Sequence, residues 1–208
     1  MDLIIDTSTA RLIVILVDKD KIDYVENLVS NKHQASLLSD IETLLLKNKC
    51  KLSDIETFGV VVGPGSFTGV RLSVATVKAF NFVNKKQKIV AINNLDLLNF
   101  ICKNEKNDYA IAIKSTSSKC YLSKVCKNIR QDFLATNEQV EDLDCDVFGY
   151  DIDKIGTKKV EKLQVKVQDY VEFFLTQKQK KNFVDYVSLE PVYMALSQAE
   201  EELLKKNG

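Results

Sequence analysis

The run Phe58, Gly59, Val60, Val61, Val62 carries no polar side chain and flows directly into Gly63-Pro64-Gly65-Ser66-Phe67-Thr68-Gly69, after which helical spacing extends to about Asn84. A buried strand joined through a glycine turn to a long helix commits this stretch to a layered α/β arrangement. The turn can present free amides at a helix N-terminus, where anions bind; the plainer alternative is a tight strand-to-helix connection. It is not a Walker A loop, because the spacing differs and no Lys-Ser or Lys-Thr pair follows Gly69.

The flanking patterns extend this reading. Residues 3–5, 12–17 and 22–28 are short β-rich runs with brief connections, which predicts an antiparallel meander. Leu37, Leu38, Ile41, Leu44 and Leu45 mark a helix over about residues 34–49. Ser53-Asp54-Ile55-Glu56 fits a capping box on a single turn, and residues 89–92 read as a strand. The order β-β-β-α-β-α-β is that of the ribonuclease-H-like lobe of actin-type ATPases. The second half reads as a weaker repeat, with strands at 109–113, 120–125 and 132–135. Ile5 to Leu12 lies over Ile113 to Cys120, a hydroxyl-rich turn joining two strands in each copy. A helix is expected at 169–175 and another at 197–206, while the lysines of 158–166 and 178–181 read as solvated faces and loops. The expected architecture is α/β: a two-lobed actin-like ATPase (ASKHA, ribonuclease-H-like) fold with lobes at 1–106 and 107–208, the second degenerate.

Composition removes several function classes. Of 208 residues, 45% are hydrophobic and 28% charged, enough for a real core. Lys+Arg and Asp+Glu both total 29, so the chain is not built to hold a phosphate backbone mainly by itself. Cys50, Cys102, Cys120, Cys126 and Cys145 are odd in number and lack C-x-x-C spacing, so reduced thiols in a cytoplasmic chain are expected, not a disulfide framework or zinc site. The start of the chain has no basic region like that of a signal peptide, and no apolar run reaches the ~18 residues of a membrane span.

The first chemical candidate is Asp6-Thr7-Ser8-Thr9. In a two-lobed phosphotransfer enzyme such a turn holds phosphate oxygens on amides and hydroxyls, and its Asp holds magnesium. Alternatively it is a hairpin turn whose Asp and Thr satisfy local backbone groups. The repeat argues against a working site. Lys114 stands where the second lobe needs a carboxylate, and between Gly69 and Gly208 the only glycines are Gly149 and Gly156. On the helix after the glycine turn, Val70, Val74, Val77 and Phe80 form one apolar stripe, and Leu72, Ala75, Ala79, Phe82 and Val83 a second. One stripe suffices for a surface helix. The helix is therefore either wholly internal or buries its second face in another chain, and the small Ser73, Ala75, Thr76 and Ala79 permit close approach. His33, the only histidine, lacks companions at metal-ligand spacing.

Leu3-Ile4-Ile5-Asp6-Thr7-Ser8-Thr9, His33 before a leucine-rich helix, Leu52-Ser53-Asp54-Ile55 and above all Gly63 to Arg71 (GPGSFTGVR) resemble the bacterial TsaB (YeaZ) family over roughly the first 95 residues. Glu190-Pro191-Val192-Tyr193 resembles its late E-P-x-Y motif. The resemblance implies a role in making threonylcarbamoyladenosine, the t6A modification at position 37 of tRNAs. In that family TsaD is the transferase and holds metal and nucleotide, TsaC supplies threonylcarbamoyl-adenylate, and TsaB is a degenerate paralogue that docks on TsaD, with TsaE joining them. It implies no cofactor in the isolated chain, ATP and magnesium in the complex through partners, tRNA met indirectly, and a homodimer when alone. The pairing helices correspond to about 34–49 and 68–84, which makes His33, Leu37, Leu72, Ala75, Thr76, Ala79 and Phe82 interface candidates. The chain departs from the family at Lys114-Ser115-Thr116-Ser117-Ser118-Lys119-Cys120-Tyr121, where only Tyr121 fits the usual pattern, and at Ala195, where an Arg is common. The alternatives are a small actin-like ATPase or sugar kinase, and a peptidase, for which no nucleophile–base pair is readable.

Overall fold

The computed structural model describes residues 1–28, 33–102, 108–149, 155 and 157–193. The helix expected at 197–206 and Ala195 lie outside these residues. The first half gives β1 (Asp2–Asp6), β2 (Arg11–Asp18), β3 (Lys21–Leu28), α1 (His33–Lys47), a 3-10 turn at Leu52–Asp54, β4 (Thr57–Gly63), α2 (Phe67–Val83), β5 (Lys88–Asn93) and α3 (Asn94–Cys102). The second half gives β6 (Tyr109–Lys114), β7 (Lys119–Cys126), β8 (Ile129–Thr136), α4 (Asn137–Glu141), β9 (Asp146–Gly149), β10 (Val160–Lys162) and α5 (Val167–Gln179).

Each half contributes a five-stranded mixed sheet. The first runs β3-β2-β1-β4-β5 and the second β10-β9-β6-β7-β8, the same order read from the opposite edge. In both, the first three strands are antiparallel neighbours and the last two are added in parallel. The repeat is thus complete at the level of topology. The hairpin turns differ slightly: Asp6 pairs with Ile13, whereas Lys114 pairs with Cys120, one residue sooner.

The first sheet is apolar on both faces because successive residues point to opposite sides. Leu3, Ile5, Leu12, Val14, Phe58, Val60 and Val62 pack with Leu37, Ile41 and Leu44 of α1 and Val70, Val74 and Val77 of α2. Ile4, Ile13, Ile15, Val61, Val90 and Ile92 pack with α3, α5 and strands of the second sheet. Gly59 allows close approach: a Cβ there would lie 2.8 Å from Cδ2 of Phe174. The second sheet's other face is covered by a smaller cluster, including Ala110, Ala112, Ala135, Val140, Val147 and Val160.

Several expectations need correction. The turn at Leu52–Asp54 is capped at Lys51, whose amide donates to the Asp54 carboxylate at 2.8 Å, so Ser53 is not the cap. Residues 158–166 are not simply a solvated loop, for Val160–Lys162 is the edge strand β10 and Val165 is buried. Lys178 is not free either: its Nζ lies 2.7 and 2.8 Å from the two oxygens of the buried Asp2. Strand β9 and helices α3 and α4 have no counterpart in the sequence reading. Each sheet is drawn from one side of residues 106/107, while α5 and residues 184–193 run back against the first sheet. Val184 donates to the Ile89 carbonyl at 2.9 Å and Val192 to that of Val62 at 2.7 Å.

Candidate functional site

The turn after β1 and the glycine loop after β4 close on each other. Thr7 Oγ1 donates to the Gly69 carbonyl at 2.6 Å, and the Ser66 amide donates to the Ser8 carbonyl at 2.6 Å. Asn94, at the start of α3, donates to Ser8 Oγ and to the Pro64 carbonyl, both at 2.8 Å. The two later glycines are required by this contact. A Cβ at Gly65 would sit 2.5 Å from the Ser8 carbonyl oxygen, and one at Gly69 would overlap that of Thr7. Gly63 has φ +99°, a conformation that side chains disfavour. Ser66 caps α2, its Oγ accepting from the Gly69 amide at 3.3 Å.

Asp6 sits beneath this closure and is 1% exposed. Its Oδ1 accepts from the Ser8 amide at 2.7 Å, and its Oδ2 from the Tyr170 hydroxyl of α5 at 2.6 Å. Burial pushes its pKa above the usual aspartate range, against the pull of the Ser8 and Tyr170 hydrogen bonds and the Arg11 charge. Thr7 and Ser8 are also buried, and Thr9 accepts from the Arg11 amide at 3.0 Å. With both oxygens of Asp6 and the Thr7 hydroxyl already bonded within the chain, the turn is not arranged to hold a magnesium ion directly on Asp6. In the second lobe the corresponding turn closes on itself, the amides of Ser115 and Thr116 both donating to the Lys119 carbonyl at 3.0 Å. Among the described residues no group of three or more His, Cys, Asp or Glu is placed to hold a metal. None of the five cysteines is joined in a disulfide, and burial raises the Cys120 thiol to about 11, so that sulfur is no ready nucleophile.

The second stripe of α2 is open. Phe67, Thr68, Arg71, Ala75, Ala79, Phe82 and Val83 are exposed and Leu72 is half-buried, while Val70, Ser73, Val74, Thr76 and Val77 face the core. Among the described residues nothing covers this second face of the helix. Two interface candidates need correction. Leu37 is 0% exposed in the α1 core row, and Thr76 is buried on the inner side of α2. Neither reaches a partner surface. The His33 side chain lies outside the described residues. The exposed leucines of α1 are Leu38 and Leu46, eight positions apart and hence on one helical face, a pairing the sequence reading did not single out. The late E-P-x-Y motif comes to the start of α2, where Tyr193 stacks near Phe67 at 5.1 Å between ring centroids. Tyr170 and Asn94 are the residues that sequence reasoning missed. Asn93 gave a signal for α3, since its side chain accepts from the Leu95 amide as a helix cap does; nothing local marked Tyr170.

A family model described as TsaD, tRNA N6-adenosine threonylcarbamoyltransferase, matches residues 25–189. The chain belongs to that family, in its TsaB (YeaZ) group. A protein of Mycoplasma genitalium, uncharacterized protein MG208, is 33% identical over 42% of this chain and 51% of its own length. Its Mycoplasma pneumoniae homolog is 30% identical over 59% and 68%. The tRNA threonylcarbamoyladenosine biosynthesis protein TsaB of Haemophilus influenzae is 25% identical over 63% of this chain and 56% of its own length. The matched region thus spans about half the length of the first and third of these relatives. The fold is shared with YeaZ from Pseudomonas aeruginosa, at TM-score 0.73 and 21% identity over 92% of this chain and 98% of that one. A crystal structure of an uncharacterized protein with similarity to peptidase YEAZ, from the same organism, gives TM-score 0.74 at 20% identity over 93% and 99%.

Proposed function

We propose that this chain acts in tRNA t6A biosynthesis as a non-catalytic cytoplasmic scaffold. It docks on a TsaD-type transferase, which TsaE joins, and it pairs with itself when alone. In this reading ATP and magnesium enter through the partners, and tRNA is met only through the complex. The observation that carries the proposal is the open second stripe of α2. Phe82 is 64% exposed and Val83 87%, with the alanines between them and Phe67 leaving room for a second backbone. Apolar surface of this kind, laid along one helix, favours burial against another protein. The names of the TsaB relatives supply the pathway, and the filled Asp6 turn supports a role other than phosphotransfer.

Co-purification with the TsaD-type subunit tests this directly. Ala75→Arg and Ala79→Arg are expected to abolish capture while leaving thermal unfolding within about 0.5 kcal/mol of the parent, as surface changes do. A t6A assay with and without the chain completes the test. Unchanged capture by both variants would remove α2 as the docking face, and saturable Mg-ATP binding to the isolated chain would favour an ATPase instead.

A further inference from the structure

Arg71 is held in one place by residues far apart in the chain. Its guanidinium carbon lies 3.8 Å from the Phe67 ring centroid and 5.7 Å from that of Tyr193. Its Nε donates to the Tyr193 hydroxyl at 2.8 Å. Tyr193 is itself fixed, since its neighbour Val192 is bonded to β4 and Leu189 is buried. Stacking and one hydrogen bond thus spend the flat face and Nε, and leave the Nη1 and Nη2 end of the fork pointing off an exposed side chain. Among the described residues no carboxylate lies within ion-pair distance of it.

The position matters as much as the geometry. Phe67, Arg71, Ala75, Ala79 and Val83 follow one another at four-residue spacing, so Arg71 stands on the open stripe of α2. The only other charged residue of α2 is Lys78, whose Nζ turns to the Val187 carbonyl at 3.3 Å. A guanidinium fork fixed by stacking and a hydrogen bond on an apolar helix face calls for an anion on whatever covers it. A nucleic acid would need several cations in a row, whereas here Arg71 stands at one end of the stripe and Lys85, over the Phe82 ring at 5.8 Å, just beyond the other.

We infer that Arg71 is the specificity anchor of the docking face: its fork receives a carboxylate of the partner chain end-on, pre-oriented by Phe67 and Tyr193. This rests on the docking role proposed above. Pre-orientation removes the entropy cost of fixing a long side chain, which is why arginines in such settings dominate interface energetics.

The test is the affinity of the purified TsaD-type subunit for variants of this chain, measured by calorimetry at low and high salt. R71M is expected to weaken binding about 30-fold and to remove most of its salt dependence. R71K keeps the charge without the planar fork and should lose about tenfold. Y193F should weaken the parent about threefold yet leave R71M unchanged, since the lost bond acts only through Arg71. R71M within about twofold of the parent, with A79R still abolishing capture, overturns the inference and leaves the docking face standing. A75R and A79R both without effect remove the docking face and the inference together. Loss of tRNA retention in R71M with subunit affinity intact overturns it in favour of a nucleic-acid contact.

Discussion

Asp6 shows how a residue typical of a phosphate site has been turned inward. Desolvation holds its carboxyl above the usual aspartate range despite two donors at short distance. An acid whose folded pKa is raised contributes stability fully below its unfolded pKa and loses it as pH climbs through the folded one. Asp6→Asn removes the charge but keeps an oxygen for the Ser8 amide. Its stability relative to the parent is expected to grow as pH rises from about 4 to about 8. Tyr170→Phe should do the reverse, costing about 2 kcal/mol at pH values where the Asp6 carboxyl is ionised, and less in acid. Urea unfolding across that range reads both. A pH-independent difference for Asp6→Asn would show that some other group titrates.

At the scale of the element, α2 is started by two residues with separable costs. Ser66 contributes a cap, so Ser66→Ala is expected to lose about 1 kcal/mol. Gly69→Ala should lose about 3 kcal/mol, because the new methyl meets the backbone oxygen of Thr7, which no rotamer change relieves. Equal losses in thermal or urea unfolding would mean that the β1–β2 turn can move away from α2. Long, strongly patterned elements such as β2, β4, α1 and α2 were legible in the sequence, as was the presence of a spare apolar stripe. Strands β9 and β10 were not, because four and three residues are too few to show alternation and their pairing is set by β6 and by each other. The Asp6 turn and the glycine loop were each visible as motifs. Their mutual closure was not, since it depends on Tyr170 at 164 positions from Asp6 and on Asn94 at 86 from Ser8. Spacing along a chain carries no information about contacts that long.

For the molecule as a whole, the two sheets share one strand order but not one kind of cover. The link between β3 and β4 carries the fifteen-residue α1, whereas that between β8 and β9 carries only the five-residue α4. The second sheet is correspondingly joined to the first: Tyr109, Ile111 and Ile113 share a cluster with Ile4, Val61 and Val90. Helix α5 belongs by sequence to the second half and by packing to that shared core. Tyr170, Val171, Phe173 and Phe174 are buried there, and Lys178 ties the helix end to Asp2. At about 2 kcal/mol for each buried side chain, α5 supplies roughly 8 kcal/mol. A domain of this size is stable by about 5–15 kcal/mol in all, so the first lobe cannot lose that cover and stand alone. Residues 1–106 by themselves are therefore expected to show no cooperative unfolding, and the full chain a single transition in which far-UV dichroism and tyrosine fluorescence coincide. A cooperative melt of the 1–106 fragment, or two separate transitions in the full chain, would show that α5 is an accessory laid on a self-sufficient lobe; one coincident transition would show that the second half persists because the first cannot close its core without it.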